Sequence, residues 1–137
     1  PQATGALFTS DHFVRTGDVG YLDDDGYLFI VDRKKDIIIR GGENISAAEV
    51  EAELYACHAI AEAAVFGIAD ERLGEIPIAI VHAKNGEAMS ADELRAFLDG
   101  RLAKFKIPER IIFADSPLPR LGTGKIDRRA LKAQYAR

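Results

Sequence analysis

Twice in this chain a serine stands three residues ahead of a glutamate at the head of an apolar stripe: Ser46-Ala47-Ala48-Glu49 and Ser90-Ala91-Asp92-Glu93. In such a box the hydroxyl accepts the glutamate N–H and the carboxylate returns to the serine N–H, so two otherwise orphaned donors are satisfied. Ile45 with Val50, and Met89 with Leu94, are placed to close a hydrophobic staple around each box. Helix starts are therefore expected at both. Val50, Leu54 and Cys57 form the apolar stripe of the first helix, and Leu94, Phe97, Leu98 and Leu102 that of the second. Between them Ala61 to Ile68 and Ile76 to Val81 read as β segments separated by the polar stretch Ala69 to Glu75, and they are expected to pair antiparallel. Amphipathic helices interleaved with apolar strands bury their faces by packing on a common sheet.

Upstream, Val19 to Val31 reads as two short strands joined by a turn at Asp23-Asp24-Asp25-Gly26. The three aspartates lack the ligand spacing of a calcium loop, which favours a solvated turn. The charged joint "DRKKD" follows, then Ile37-Ile38-Ile39 as a buried strand. Near the end, Arg110 to Ala114 makes another strand, Ser116 to Gly124 a loop punctuated by proline and glycine, and Asp127 caps a last helix ending near Tyr135. The order after the joint is thus βαββαβα. The expected class is α+β, a small sheet packed with about three helices and preceded by a β-hairpin. With 137 residues, 47% of them hydrophobic, the chain can enclose one real core.

Charge and composition narrow the function. The net charge of −4 argues against general nucleic-acid binding, yet basic residues cluster at Arg33 to Lys35, Lys104 to Arg110 and Arg120 to Arg129. Specific phosphate contacts are the better expectation. Cys57 is the single cysteine and is placed on a core stripe, while His12, His58 and His82 are scattered without ligand partners, so no metal site is expected in this chain. No stretch approaches the roughly 20 apolar residues of a membrane span, no signal peptide opens the chain, and a cytoplasmic setting is expected. The opening "PQATGALF" carries no initiator methionine, which suggests a piece of something longer.

The segment "PRLGTGKIDRR", Pro119 to Arg129, sets Lys125 between glycines and an arginine pair. Glycines let a loop approach an anion closely while the ammonium neutralises it. The segment departs from a P-loop, because Pro119 stands where its first glycine belongs and Ile126 where its hydroxyl residue belongs.

Four stretches taken together resemble the end of the adenylate-forming superfamily of acyl-CoA synthetases, peptide-synthetase adenylation domains and luciferases. They are "RTGD" at Arg15 to Asp18, "GYLFIVDRKKDIIIRGGENISAAEVE" at Gly26 to Glu51, "KFKIPERIIFADSPLP" at Lys104 to Pro119, and "GTGKIDRRAL" at Gly122 to Leu131. The resemblance covers nearly the whole chain. It implies ATP-dependent formation of an acyl-adenylate, with AMP later displaced by a thiol. It also implies roles: Lys125 stabilises charge in the adenylating step, Asp18 pairs with ribose hydroxyls, and Arg33 helps hold the nucleotide. Lys35 matches the hinge about which a small domain rotates, and the "GGEN" loop, with Gly41, Gly42 and Glu43, then borders a pantetheine channel. A plain turn at Gly41-Gly42 is compatible with that. The domains implied are residues 1–33 as the tail of a larger adenylating domain, 34–36 as hinge, and 37–137 as a mobile C-terminal domain.

The hinge segment resembles the acyl-CoA synthetase form more than the peptide-synthetase form, which favours free coenzyme A over carrier-protein phosphopantetheine. Phe105 and Lys106 offer a stacking face and a charge to its adenine and phosphates, although Phe105 is equally suited to the core. ATP or AMP and coenzyme A are thus the implied cofactors and a carboxylic acid the substrate. Magnesium and the acyl pocket are expected in the adenylating domain, whose phosphate loop is not in this sequence, and the 137 residues alone are expected to be inactive. The remaining alternative is a non-catalytic binding module, and an RNA platform would want exposed aromatics on a basic face.

Overall fold

The computed structural model describes residues 2–85 and 87–136, of Gln2 and Ala3 the backbone alone. It divides into two compact units, Pro1–Asp36 and Ile37–Arg137. In the first unit a short helix α1 (Gln2–Leu7) precedes strands β1 (Asp18–Leu22) and β2 (Leu28–Arg33), which pair antiparallel with an irregularity between Val19 and Gly20. The connecting turn is held by Asp23, whose Oδ1 accepts the N–H of Asp25 at 3.0 Å and of Tyr27 at 2.8 Å. Tyr21 and Phe29 stack with ring centroids 5.3 Å apart. Tyr21, Leu22, Tyr27, Leu28 and Ile30 all remain largely exposed. A single 3-10 turn, Lys34–Asp36, closes this unit.

The second unit is α+β. Its order is β3 (Ile37–Arg40), β4 (Glu43–Ser46), α2 (Ala47–Tyr55), β5 (Ile60–Asp70), β6 (Gly74–Ala83), α3 (Ala91–Leu98), β7 (Arg110–Phe113) and α4 (Arg128–Tyr135). The sheet runs β4-β3-β6-β5, and β7 adds to β6 in parallel, so the sheet is mixed. The expected antiparallel pairing forms the β5–β6 ladder, from Ile60 opposite Ala83 to Asp70 opposite Gly74.

Strand alternation sends the residues of β5 and β6 to two different cores. Ala63, Val65, Ala79 and Val81 join Val50, Leu54, Leu94 and Leu98 from α2 and α3. Ala64, Phe66, Ile78 and Ile80 join Leu118 and Leu131, the latter from α4. Helices thus cover both faces of the sheet, which explains why both strands read as nearly unbroken apolar runs. Cys57 is buried in the first core. The outer edge of β5 is protected by side chains of α2: Glu51 accepts the Val65 N–H at 2.8 Å and the Tyr55 hydroxyl accepts the Ala63 N–H at 3.1 Å.

Both serines cap their helices. Ser46 accepts the Glu49 N–H at 3.2 Å, and at Ser90 both halves of the capping box are present. One strand, β4, is additional to the order expected from sequence. Only Ile45 of its four residues is buried, so the segment carries almost no apolar signal. Its pairing is imposed by the two-residue turn Gly41-Gly42, where φ is +57° and +88°, the left-handed pair of a type I′ hairpin. The turn therefore joins two strands rather than a strand and a helix.

Candidate functional site

Lys125 sits in the loop between β7 and α4, and the loop is built as a closed turn. Leu118 anchors its start in the second core. Arg120 and Ile126 form an antiparallel bridge, the Leu121 N–H reaches the Lys125 carbonyl at 2.8 Å, and the Gly124 N–H reaches the Leu121 carbonyl at 2.8 Å. Asp127 then caps α4 by accepting the Ala130 N–H at 3.0 Å. Within this frame the Lys125 side chain is exposed, and its ammonium meets no partner among the described residues. A cation on a well-connected loop with no partner of its own is available to an incoming anion.

Two carboxylates outside the loop hold its ends. Glu62 on β5 accepts the Leu118 N–H at 2.6 Å and pairs with the Arg120 guanidinium, which in turn donates to the Gly124 carbonyl at 2.6 Å. Burial pushes the Glu62 carboxyl up, but the Leu118 N–H, Arg120 and the nearby His82 together outweigh it and hold the group below its ordinary range. At the far end, Arg128 donates to both oxygens of Glu51 at 2.6 Å. Neither carboxylate was singled out from the sequence, and the two arginines entered it only as members of the basic cluster Arg120 to Arg129, with phosphate rather than carboxylate contacts expected. The available signal was a lone carboxylate, Glu62, inside the apolar run "IAEAAVFGIA".

The other expected residues fall in three places. Gly41 donates its N–H to the Leu73 carbonyl at 2.7 Å, and a side chain there would press on the Leu73 methyl at 3.3 Å. A Cβ at Gly42 would meet nothing within 4 Å, so its left-handed φ and not crowding calls for glycine. Gly42 and Glu43 are exposed at the hairpin tip. Phe105 packs partly against the first core, and the Lys106 ammonium lies 2.8 Å from Glu49 and 5.9 Å from the Phe105 ring centre. The adjoining residues Lys104, Ile107 and Pro108, with Arg40 and Arg95, line a cleft of about 430 Å³.

In the first unit Asp18 and Arg33 are direct partners across the β1–β2 ladder, with Nε 3.5 Å from Oδ1. Beside them Thr16, Gly17, Arg33, Lys34 and Lys35 line a second cleft of about 430 Å³. Lys35 is exposed in the 3-10 turn that ends the unit. Among the described residues, no three His, Cys, Asp or Glu side chains cluster to hold a metal ion, and Asp23 is already committed to its own turn. These donors do not fit a magnesium site. No described helix is long and apolar enough to cross a membrane.

Residues 49–125 match the family described as AMP-binding enzyme C-terminal domain. The chain is 45% identical over 132 residues to a 2-succinylbenzoate–CoA ligase of Geobacillus sp., covering 96% of this chain and 26% of that protein. It is 45% identical over 136 residues to the long-chain-fatty-acid–CoA ligase FadD13 of Mycobacterium tuberculosis, covering 99% and 26% respectively. Among solved structures, ATP-bound MatB from Rhodopseudomonas palustris superposes with a TM-score of 0.90 at 38% identity, over 99% of this chain and 27% of that one. The chain therefore spans about a quarter of the length of the relatives it matches.

Proposed function

Because the chain belongs to the AMP-binding enzyme C-terminal domain family, we propose that it is the C-terminal part of an AMP-forming acyl-CoA synthetase and supplies that enzyme's adenylating lysine. The reaction has two halves. A carboxylate oxygen attacks the α-phosphorus of ATP and the bond to pyrophosphate breaks, giving the acyl-adenylate. The sulfur of a thiol then attacks the acyl carbon, AMP leaves with the bonding pair, and a thioester results.

Two anions meet in the first half, and a positioned cation is the group that stabilises their transition state most directly. Lys125 is that cation. The carrying observation is its ammonium, unpartnered among the described residues, on a loop whose backbone is closed by its own hydrogen bonds and held by Glu62. Asp18, an acceptor-only carboxylate, takes the ribose hydroxyls, and Arg33 beside it serves the nucleotide. In the second half the tip Gly41-Gly42-Glu43 borders the thiol arm. Lys106 and the exposed part of Phe105 serve the nucleotide end of coenzyme A. Lys35 is the pivot that exchanges one loop for the other, with residues 37–137 as the moving part and residues 1–33 as the tail of the adenylating domain. The uncovered apolar residues of the β1–β2 hairpin support that last assignment. The CoA-ligase names of the relatives favour coenzyme A over a carrier protein as acceptor.

The test separates the halves in the full-length enzyme. Lys125→Ala slows acid-dependent pyrophosphate exchange by roughly 10²- to 10³-fold, the usual effect of removing one transition-state charge stabiliser. Thioester formation from supplied acyl-adenylate is spared. The 137-residue chain alone shows no exchange. Equal slowing of both halves would refute the assignment of Lys125 to adenylation.

A further inference from the structure

The turn that carries Lys125 contains Gly122 and Gly124 and lies between β7 and α4, so left to itself it would sample many backbone states. Every such state must be abandoned when the ammonium meets its anion, and a misplacement of the order of 1 Å is costly. The turn's own backbone hydrogen bonds restrict that freedom, and the fold anchors them to the sheet through one carboxylate. Glu62 stands on β5 inside the longest ladder of the sheet, with its side chain only 13% exposed. One of its oxygens takes the Leu118 N–H just before the turn, and the other takes Arg120 within it. Arg120 passes the constraint on, because its second terminal nitrogen holds the carbonyl of Gly124, the residue immediately before Lys125.

We propose that Glu62, acting through Arg120, is a positioning residue for Lys125, holding the lysine turn closed before any ligand arrives. The proposal rests on the reading of Lys125 as the adenylating lysine, and it concerns a residue that touches no substrate. The chain of contacts is continuous from the strand to the cation: β5, Glu62, Arg120, the Gly124 carbonyl, Lys125. The Glu51–Arg128 pair performs a different task, fixing the start of α4 beyond the turn. Glu62→Gln is the informative variant, since the amide can still accept the Leu118 N–H while its neutral head loses the charge-assisted bond to Arg120.

Two measurements decide the matter. In the 137-residue chain, amide hydrogen exchange at Leu121 and Gly124 should speed up in Glu62→Gln while the β5–β6 ladder keeps its protection. Unchanged exchange at those two amides would overturn the proposal, whatever Lys125 does. In the full-length enzyme, Glu62→Gln should lower the rate constant of adenylation by roughly 10- to 100-fold, as expected for a displaced catalytic group. The KM for ATP and thioester formation from supplied adenylate should stay unchanged. The same substitution placed on Lys125→Ala should cause no further loss. An equal loss on both backgrounds would show Glu62 to be a general brace and overturn its positioning role. Faster exchange at the turn together with a fully active Lys125→Ala enzyme would instead overturn the role of Lys125, leaving the closure of the turn by Glu62 intact.

Discussion

Asp18 and Arg33 stand directly opposite each other in the β1–β2 ladder, their charged groups 3.5 Å apart. The aspartate side chain is 29% and the arginine side chain 60% exposed, so solvent screens their attraction. An exposed pair of this kind contributes about 0–1 kcal/mol, so the pairing is a small part of what holds the hairpin together.

Asp18→Ala should therefore leave the melting temperature of the chain nearly unchanged. In the full-length enzyme it should raise the KM for ATP by roughly 10- to 100-fold, because a hydrogen bond to a charged group is worth about 1.5–3 kcal/mol. A melting point that falls sharply with an unaltered KM would reverse the assignment and make Asp18 a structural residue.

Lys35 occupies the middle of the 3-10 turn Lys34–Asp36, at the end of the first compact unit. Proline there sets φ near −65°, removes an amide donor and restricts Lys34 as well. The full-length Lys35→Pro enzyme should still exchange pyrophosphate but form thioester from preformed adenylate far more slowly, since a single backbone geometry is retained. Normal rates in both assays at an unchanged melting temperature would show that the pivot lies elsewhere.

The acid limb of stability should report Glu62. Its carboxyl is held below the ordinary value of 4.5 in the folded chain, by the Leu118 N–H, Arg120 and His82 against the upward push of burial. Over that interval the unfolded chain binds more protons than the folded one, so stability rises with pH. The contribution is complete above about pH 4.5 and is lost as pH falls through the folded value. In urea titrations between about pH 3 and 6, Glu62→Gln should lower stability at pH 6 and flatten the decline below pH 4.5. An acid limb parallel to that of the parent chain would show that this carboxyl titrates alike in both states.

The features legible in the sequence are those decided by chemistry a few residues away along the chain. Capping boxes act between a serine and the residue three positions on, the Asp23 turn closes on Tyr27, and apolar periodicity marks which residues leave water. The candidate lysine could be found the same way, because glycines flank it. What the sequence left open is who meets whom across distance. Strand β4 carries one buried residue and exists because a left-handed turn folds it onto β3. The parallel seat of β7 on β6, the division of β5 and β6 between two cores, and the Glu62–Arg120 and Glu51–Arg128 pairs join residues 58 and 77 positions apart in the latter two cases. Glu62 stands out locally as a lone carboxylate in an apolar run, but no local pattern names its partner, and none marks Glu51. Their partners are selected only when packing of the sheet faces brings β5, α2 and the lysine turn to one place, where burial makes an unpaired charge costly and a paired one specific.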